Sequence, residues 1–108
     1  MRDVSQAKNE ELFRNVNERI ETLSQTVAQD DPLMQYLCEC DNRGCYERVR
    51  ATRGEYELVR AEPTHFIVLA GHEDPEVERV ILSNDRFIVV EKQGAAGRDA
   101  EKTDPRDT

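Results

Sequence analysis

The chain has 108 residues, is 37% hydrophobic and 35% charged, lacks tryptophan and carries a formal net charge of -8. A chain this short forms one small domain with a modest core, the kind that a structural metal often staples. The acidic excess opposes nonspecific binding to nucleic-acid phosphate, and no apolar run approaches the about 20 residues that span a bilayer.

The opening Met1-Arg2-Asp3-Val4-Ser5-Gln6 has no apolar stretch of the signal-peptide kind. The expectation is a cytoplasmic protein whose thiols stay reduced. From Asn9 to Ala28 the pattern is helical. Phe13, Val16, Ile20, Leu23 and Val27 recur at spacings of three and four, while Glu10, Arg14, Glu18, Arg19 and Glu21 fill the other face. Two readings of this stripe stay open: it packs on its own domain, or it is a helical seam for self-association or a partner. Asp30 and Asp31 before Pro32 end the helix, so residues 1–31 form a first segment and residues 32–93 the main domain.

Leu33 to Leu37 is apolar with one polar break and runs into Cys38-Glu39-Cys40. A strand over Gln35–Glu39 places both thiols on one side, because residues i and i+2 share a face. Asp41-Asn42-Arg43-Gly44 reads as a turn, with Gly44 taking positive φ to return Cys45 to the same point. Tyr46–Arg50 is the return strand. Arg43, Arg48, Arg50, Arg53 and Arg60 crowd this region, offset by Glu47, Glu55 and Glu57, and read as a solvated surface.

Thr52 and Glu55 stand at capping-box spacing and predict a short helix to about Ala61, with Tyr56 and Val59 or Leu58 inward, before Pro63 stops it. His65–Ala70 is a buried-type strand. Gly71–Pro75 is a loop in which Asp74 and Pro75 cap one helical turn. Val77–Leu82 and Arg86–Glu91 are a hairpin turned at Ser83-Asn84-Asp85. Residues 94–108 hold no aromatic or branched aliphatic side chain and are expected to be a disordered tail. The fold class is therefore α+β: an N-terminal amphipathic helix, one short helix and a small, mainly antiparallel sheet.

All three cysteines lie at C-x-C-x4-C spacing, a metal-ligand pattern. Cys38, Cys40 and Cys45 leave a tetrahedral zinc one ligand short. His72, in a loop that Gly71 opens, is the preferred fourth, ahead of His65. Asp41, Glu39 or a water are the fallbacks, and a water would leave the open position that catalytic zinc needs. An odd number of cysteines argues against a disulfide framework. Three unliganded thiols are the alternative without a metal. A set of Cys45, His72 and Glu73 or Asp74 can be drawn as a nucleophile with its base, but any small cysteine protein permits that drawing, and no catalytic residue is assigned. Glu73 and Asp74 could equally orient the imidazole.

The cysteine spacing resembles the zinc-binding post-SET segment of lysine methyltransferases, which implies ligand roles for Cys38, Cys40 and Cys45 and nothing more. A three-cysteine, one-histidine iron–sulfur centre, as in CDGSH proteins, is the rival, but its longer spacing is missing. Over nearly its whole length the chain resembles a family of small uncharacterised actinobacterial proteins. The matching stretches are Asn15–Glu21, Cys38–Cys45 with Glu47-Arg48-Val49, Glu55-Tyr56, Val59-Arg60, Gly71–Val80, Asp85-Arg86, Val89–Lys92 and Asp104-Pro105-Arg106. Arg50–Gly54 departs by being more basic. The resemblance implies His72 rather than His65 as ligand and transfers no activity. The expected role is a zinc-stabilised protein-interaction or regulatory module that binds a protein, or itself, through the first helix or the sheet face. The alternatives are a thiol-based redox or zinc sensor and a small zinc hydrolase.

Overall fold

The computed structural model describes residues 4–27, 32–40, 42 and 44–106, and within the first helix the side chains of residues 11–23. The elements in chain order are α1 (Val4–Val27), β1 (Leu33–Leu37), β2 (Arg48–Thr52), α2 (Arg53–Arg60), β3 (His65–Val68), β4 (Glu78–Ser83), β5 (Ile88–Lys92) and α3 (Gly94–Lys102). The fold is α+β, as the sequence patterning requires, but its strands form two antiparallel sheets. β1 pairs with β2, and β5 lies between β3 and β4. The expected helix end at Gln29–Asp31 lies outside the described residues.

The core lies where the two sheets and α2 meet. Tyr36, Val49, Tyr56, Phe66, Ile67 and Val90 are all almost fully buried. Tyr36 and Tyr56 stack with ring centroids 4.4 Å apart, a contact worth about 0.5–1.5 kcal/mol beyond the area it buries. The capping box forms as its spacing predicts: Glu55 N–H donates to Thr52 Oγ1 at 3.0 Å and Thr52 N–H to Glu55 Oε1 at 2.8 Å. Tyr56 and Val59 turn inward, and Leu58 is exposed.

Four expectations are corrected. The strand before the cysteines ends at Leu37, short of the expected Gln35–Glu39 span. Cys38 N–H still donates to Glu47 O at 3.0 Å, but Glu39 N–H donates to Ile67 O at 2.8 Å. The chain therefore leaves the first sheet and crosses to the second at the thiols. The return strand correspondingly starts later, at Arg48. The β4–β5 turn runs from Asn84 to Phe87, because Asn84 Oδ1 accepts from both Arg86 N–H and Phe87 N–H.

The third correction concerns α1. Phe13 is buried as expected, but Leu12, Val16 and Leu23 are exposed, while Arg14, Asn17 and Glu21 are buried. The buried face joins Phe13 and half-buried Ile20 to polar side chains whose partners lie elsewhere in the fold: Arg14 donates to Pro63 O and Ala100 O, both at 2.8 Å, and its guanidinium lies 4.5 Å from the Phe66 ring centroid. The fourth is the expected disordered tail over residues 94–108. Gly94–Lys102 is helix, with Ala96, Gly97 and Ala100 buried. Small side chains suffice because the helix lies so close to β5 that a Cβ on Gly97 would stand 2.8 Å from Lys92 O. Ion pairs of Arg60 with Asp104, and of Arg106 with Glu18 and Glu57, hold the residues beyond it.

Candidate metal centre

Cys38, Glu39 and Cys40 are an extended step between the two sheets, so alternate side chains take opposite sides. The two thiols meet Cys45 and His72 on one side. Glu39 takes the other, where its carboxylate accepts from Asn17 Nδ2 (2.8 Å), Tyr56 OH (2.8 Å) and Ile67 N–H (3.1 Å). Asn17 completes the cradle by bonding both Leu37 O (2.8 Å) and Leu37 N–H (2.6 Å). Burial pushes the Glu39 carboxyl above its ordinary range, against the pull of these donors. Glu39 is thereby removed from the possible metal ligands. Asp41 lies outside the described residues.

Cys45 returns through a turn in which its N–H donates to Asn42 O at 3.0 Å and Gly44 N–H donates to Asn42 Oδ1 at 2.9 Å. Contrary to expectation, Gly44 does not use positive φ. Positive φ falls instead on Gly71, at 88°, as it also does on Gly94 outside the site, and Gly71 shapes the loop that presents His72, whose N–H donates to Leu69 O at 3.0 Å. His72 Nδ1 lies 3.6 Å from Cys38 Sγ and 3.5 Å from Cys45 Sγ. One ligand atom from each of Cys38, Cys40, Cys45 and His72 falls within 4.8 Å of all the others. A tetrahedral zinc with Zn–S of about 2.3 Å and Zn–N of about 2.0–2.1 Å needs S···N edges of about 3.5–3.6 Å. The observed separations match that edge.

Each sulfur also receives a backbone N–H. Leu69 N–H reaches Cys38 Sγ at 3.3 Å, Asn42 N–H serves Cys40 and Glu47 N–H serves Cys45. Such donors favour thiolate over thiol. The three cysteines are free, buried and not joined by a disulfide. A hydrogen bond from Cys38 lowers the Cys40 thiol to about 5, with His72 contributing. Cys38 is raised because it keeps the proton of that bond, and Cys45 because it is buried. A divalent cation would displace the retained protons and balance the thiolates.

His65 is not one of the four; its Nε2 lies 3.2 Å from Glu91 Oε2. Glu73 accepts from Gly71 N–H at 2.8 Å and Asp74 from Glu76 N–H at 3.1 Å. These carboxylates shape the loop, and Asp74 O accepts from Val77 and Glu78 N–H, closing the helical turn expected there. Asn17 and Tyr56, the partners of Glu39, escape sequence reasoning. The one signal for them is the charged residue locked between two ligand cysteines.

No protein-family model matches the chain, and comparison with curated proteins and with solved structures finds no match to either. Among the described residues no helix is long and apolar enough to cross a membrane.

Proposed function

We propose that the chain is a zinc-stapled interaction module of the cytoplasm, in which Cys38, Cys40, Cys45 and His72 hold one structural Zn²⁺. The observation that carries this reading is the gathering of the four ligand atoms within 4.8 Å, with the Cys38 and Cys45 S···N separations at the edge length of a ZnS₃N tetrahedron. Four protein ligands close the coordination sphere, which disfavours a hydrolase, since catalysis needs an open position. Sulfur-rich ligation with a single imidazole suits zinc over magnesium or calcium, which take oxygen. The ion would join the two sheets at the Cys38–Cys40 step and tie the Leu69–His72 loop to it.

The test is elemental analysis and visible absorption of protein purified without added metal. One zinc per chain and no colour is the expected result; iron with a visible chromophore would turn the reading to an iron–sulfur centre, and absence of metal would refute it. Replacing His72 by alanine is expected to weaken zinc binding at least tenfold, as loss of one of four ligands should. An unchanged affinity would remove His72 from the site.

A second reading, a thiol redox or zinc sensor, draws on the mutual contact of three thiols one of which ionises readily. It requires low peroxide to release the ion; a site inert to peroxide excludes it.

A further inference from the structure

β4 is an edge strand. β5 pairs along one side of it, and among the described residues no strand lies along the other. Val80, Ile81 and Leu82 are all exposed there. The register shift between Val80 and Leu82 also leaves Ile81 out of the pairing with β5. Beside this edge a groove of about 350 Å³ separates β4 from α2, lined by exposed Leu58, Ile81 and Leu82 and buried Val59, Phe87 and Val89. Leu58 is 76% exposed. An exposed apolar sheet edge is a ready-made template for strand addition, and the groove beside it offers pockets for side chains.

The charges choose the occupant. Arg79 stands at one end of the edge and Asp85 just past the other, with side chains 68% and 92% exposed. Antiparallel pairing of two copies reverses one edge against the other. Centred on Leu82, it brings Arg79 of each copy toward the turn after Ser83 that carries Asp85 of the other, with Val80, Ile81 and Leu82 of both copies between. Edge charges and bulges usually discourage pairing. Here opposite signs at opposite ends penalise a parallel arrangement, which sets like against like, and favour this one.

We propose that a second copy of this chain docks on β4, so that the two β3-β5-β4 sheets run on as one across a two-fold axis and each copy covers part of the other's Leu58–Leu82 groove. The proposal deepens the interaction-module reading by naming its surface and partner, and does not require the metal to lie at the interface. Arg79 keeps Glu91 within 3.1 Å on its own sheet and Asp85 lies 3.9 Å from Arg86, so the contact would assemble a four-membered cluster of alternating charge at each end.

The test is sedimentation equilibrium of the full chain across a concentration series, with zinc measured on the same samples. A reversible dimer is expected. Arg79→Asp and Asp85→Arg should each weaken it about tenfold, because every substitution enters the interface twice. The double variant Arg79→Asp/Asp85→Arg should restore it. Leu82→Lys should leave a folded monomer by circular dichroism. A monomer at every concentration overturns the proposal, as does a dimer that ignores Leu82→Lys and both charge reversals, or one lost instead on replacing Leu12 and Leu23 of α1 by lysine. A dimer that obeys the charge swap without zinc upholds the edge and counts against the zinc reading; a zinc-loaded monomer does the reverse.

Discussion

Two regions hold distant parts of this chain together, by opposite means. At the cysteine end, Cys38, Cys40 and Cys45 gather against His72 of the Leu69–His72 loop, and these four side chains could hold a metal ion. At the helical end, guanidinium groups do the tying. Buried Arg14 binds α3 and the loop before β3, and Arg60 pairs with Glu18 and Asp104. Arg106 brings the last described residues back to Glu18 and Glu57. With a modest apolar core, the chain carries one cluster whose donors fit a metal ion and one clamp built into its own charges.

The comparison breaks first at the metal. Chelation, or Cys40→Ala, is expected to abolish the cooperative thermal transition. Structural zinc contributes about 10–16 kcal/mol in small fingers, as much as the about 5–15 kcal/mol of stability a whole domain has. Circular dichroism melts with and without chelator decide it: equal midpoints would reduce the thiol clamp to an ornament. Next in size is Arg60→Met. It takes the ion-pair partner from the Asp104 carboxylate, whose side chain is 7% exposed and keeps the Arg106 N–H, and should cost about 3–5 kcal/mol in urea unfolding. Zinc stoichiometry should stay unchanged, and a loss of zinc together with stability would show that the clamps are one unit.

Gly97→Ala sharpens the account of the helical end. The added methyl meets backbone at 2.8 Å, so a loss of about 1–3 kcal/mol is expected despite the better helix propensity of alanine. A stabilised variant would mean that α3 does not lie against β5. The smallest effect is electrostatic. Arg86 and the Thr52 backbone hold the Glu55 carboxyl down to about 2 from an ordinary 4.5. A depressed carboxyl stabilises the fold fully above its unfolded value, and that share is lost as pH falls through the window to about 2. Urea midpoints of the parent and Glu55→Gln should therefore differ near neutral pH and converge across this window. A gap independent of pH would assign the loss to the cap alone.

What the sequence made legible follows the range of each interaction. The three cysteines, the Thr52–Glu55 box and the β4–β5 hairpin are short-range patterns, read from spacing alone. His72 was reachable because an imidazole after a glycine in a loop has few other reasons to be there. Arg14 and Glu21 were misread as solvent-facing because their partners lie far along the chain, on Ala100 and Arg53, and hydropathy records no partner. α3 was missed for the same reason: Ala96, Gly97 and Ala100 are poor in apolar area but small enough for close approach, a virtue visible only once β5 is beside them. The stripe on α1 is split by the fold into Phe13 and half-buried Ile20 inside and Val16 and Leu23 outside, so periodicity identifies the helix but only part of its buried face.

The alternation at Cys38-Glu39-Cys40 has a consequence for insertions and deletions. One side of this step presents two sulfurs to the ion site, and the other presents one carboxylate to Asn17, Tyr56 and Ile67. A slip of a single residue would turn the carboxylate toward the thiols' place and a thiol into a cradle shaped for an oxygen anion. Length here is as tightly specified as composition. Homologous chains should therefore keep the number of residues from Tyr36 to Cys40, and with it the alternation of Cys38, Glu39 and Cys40.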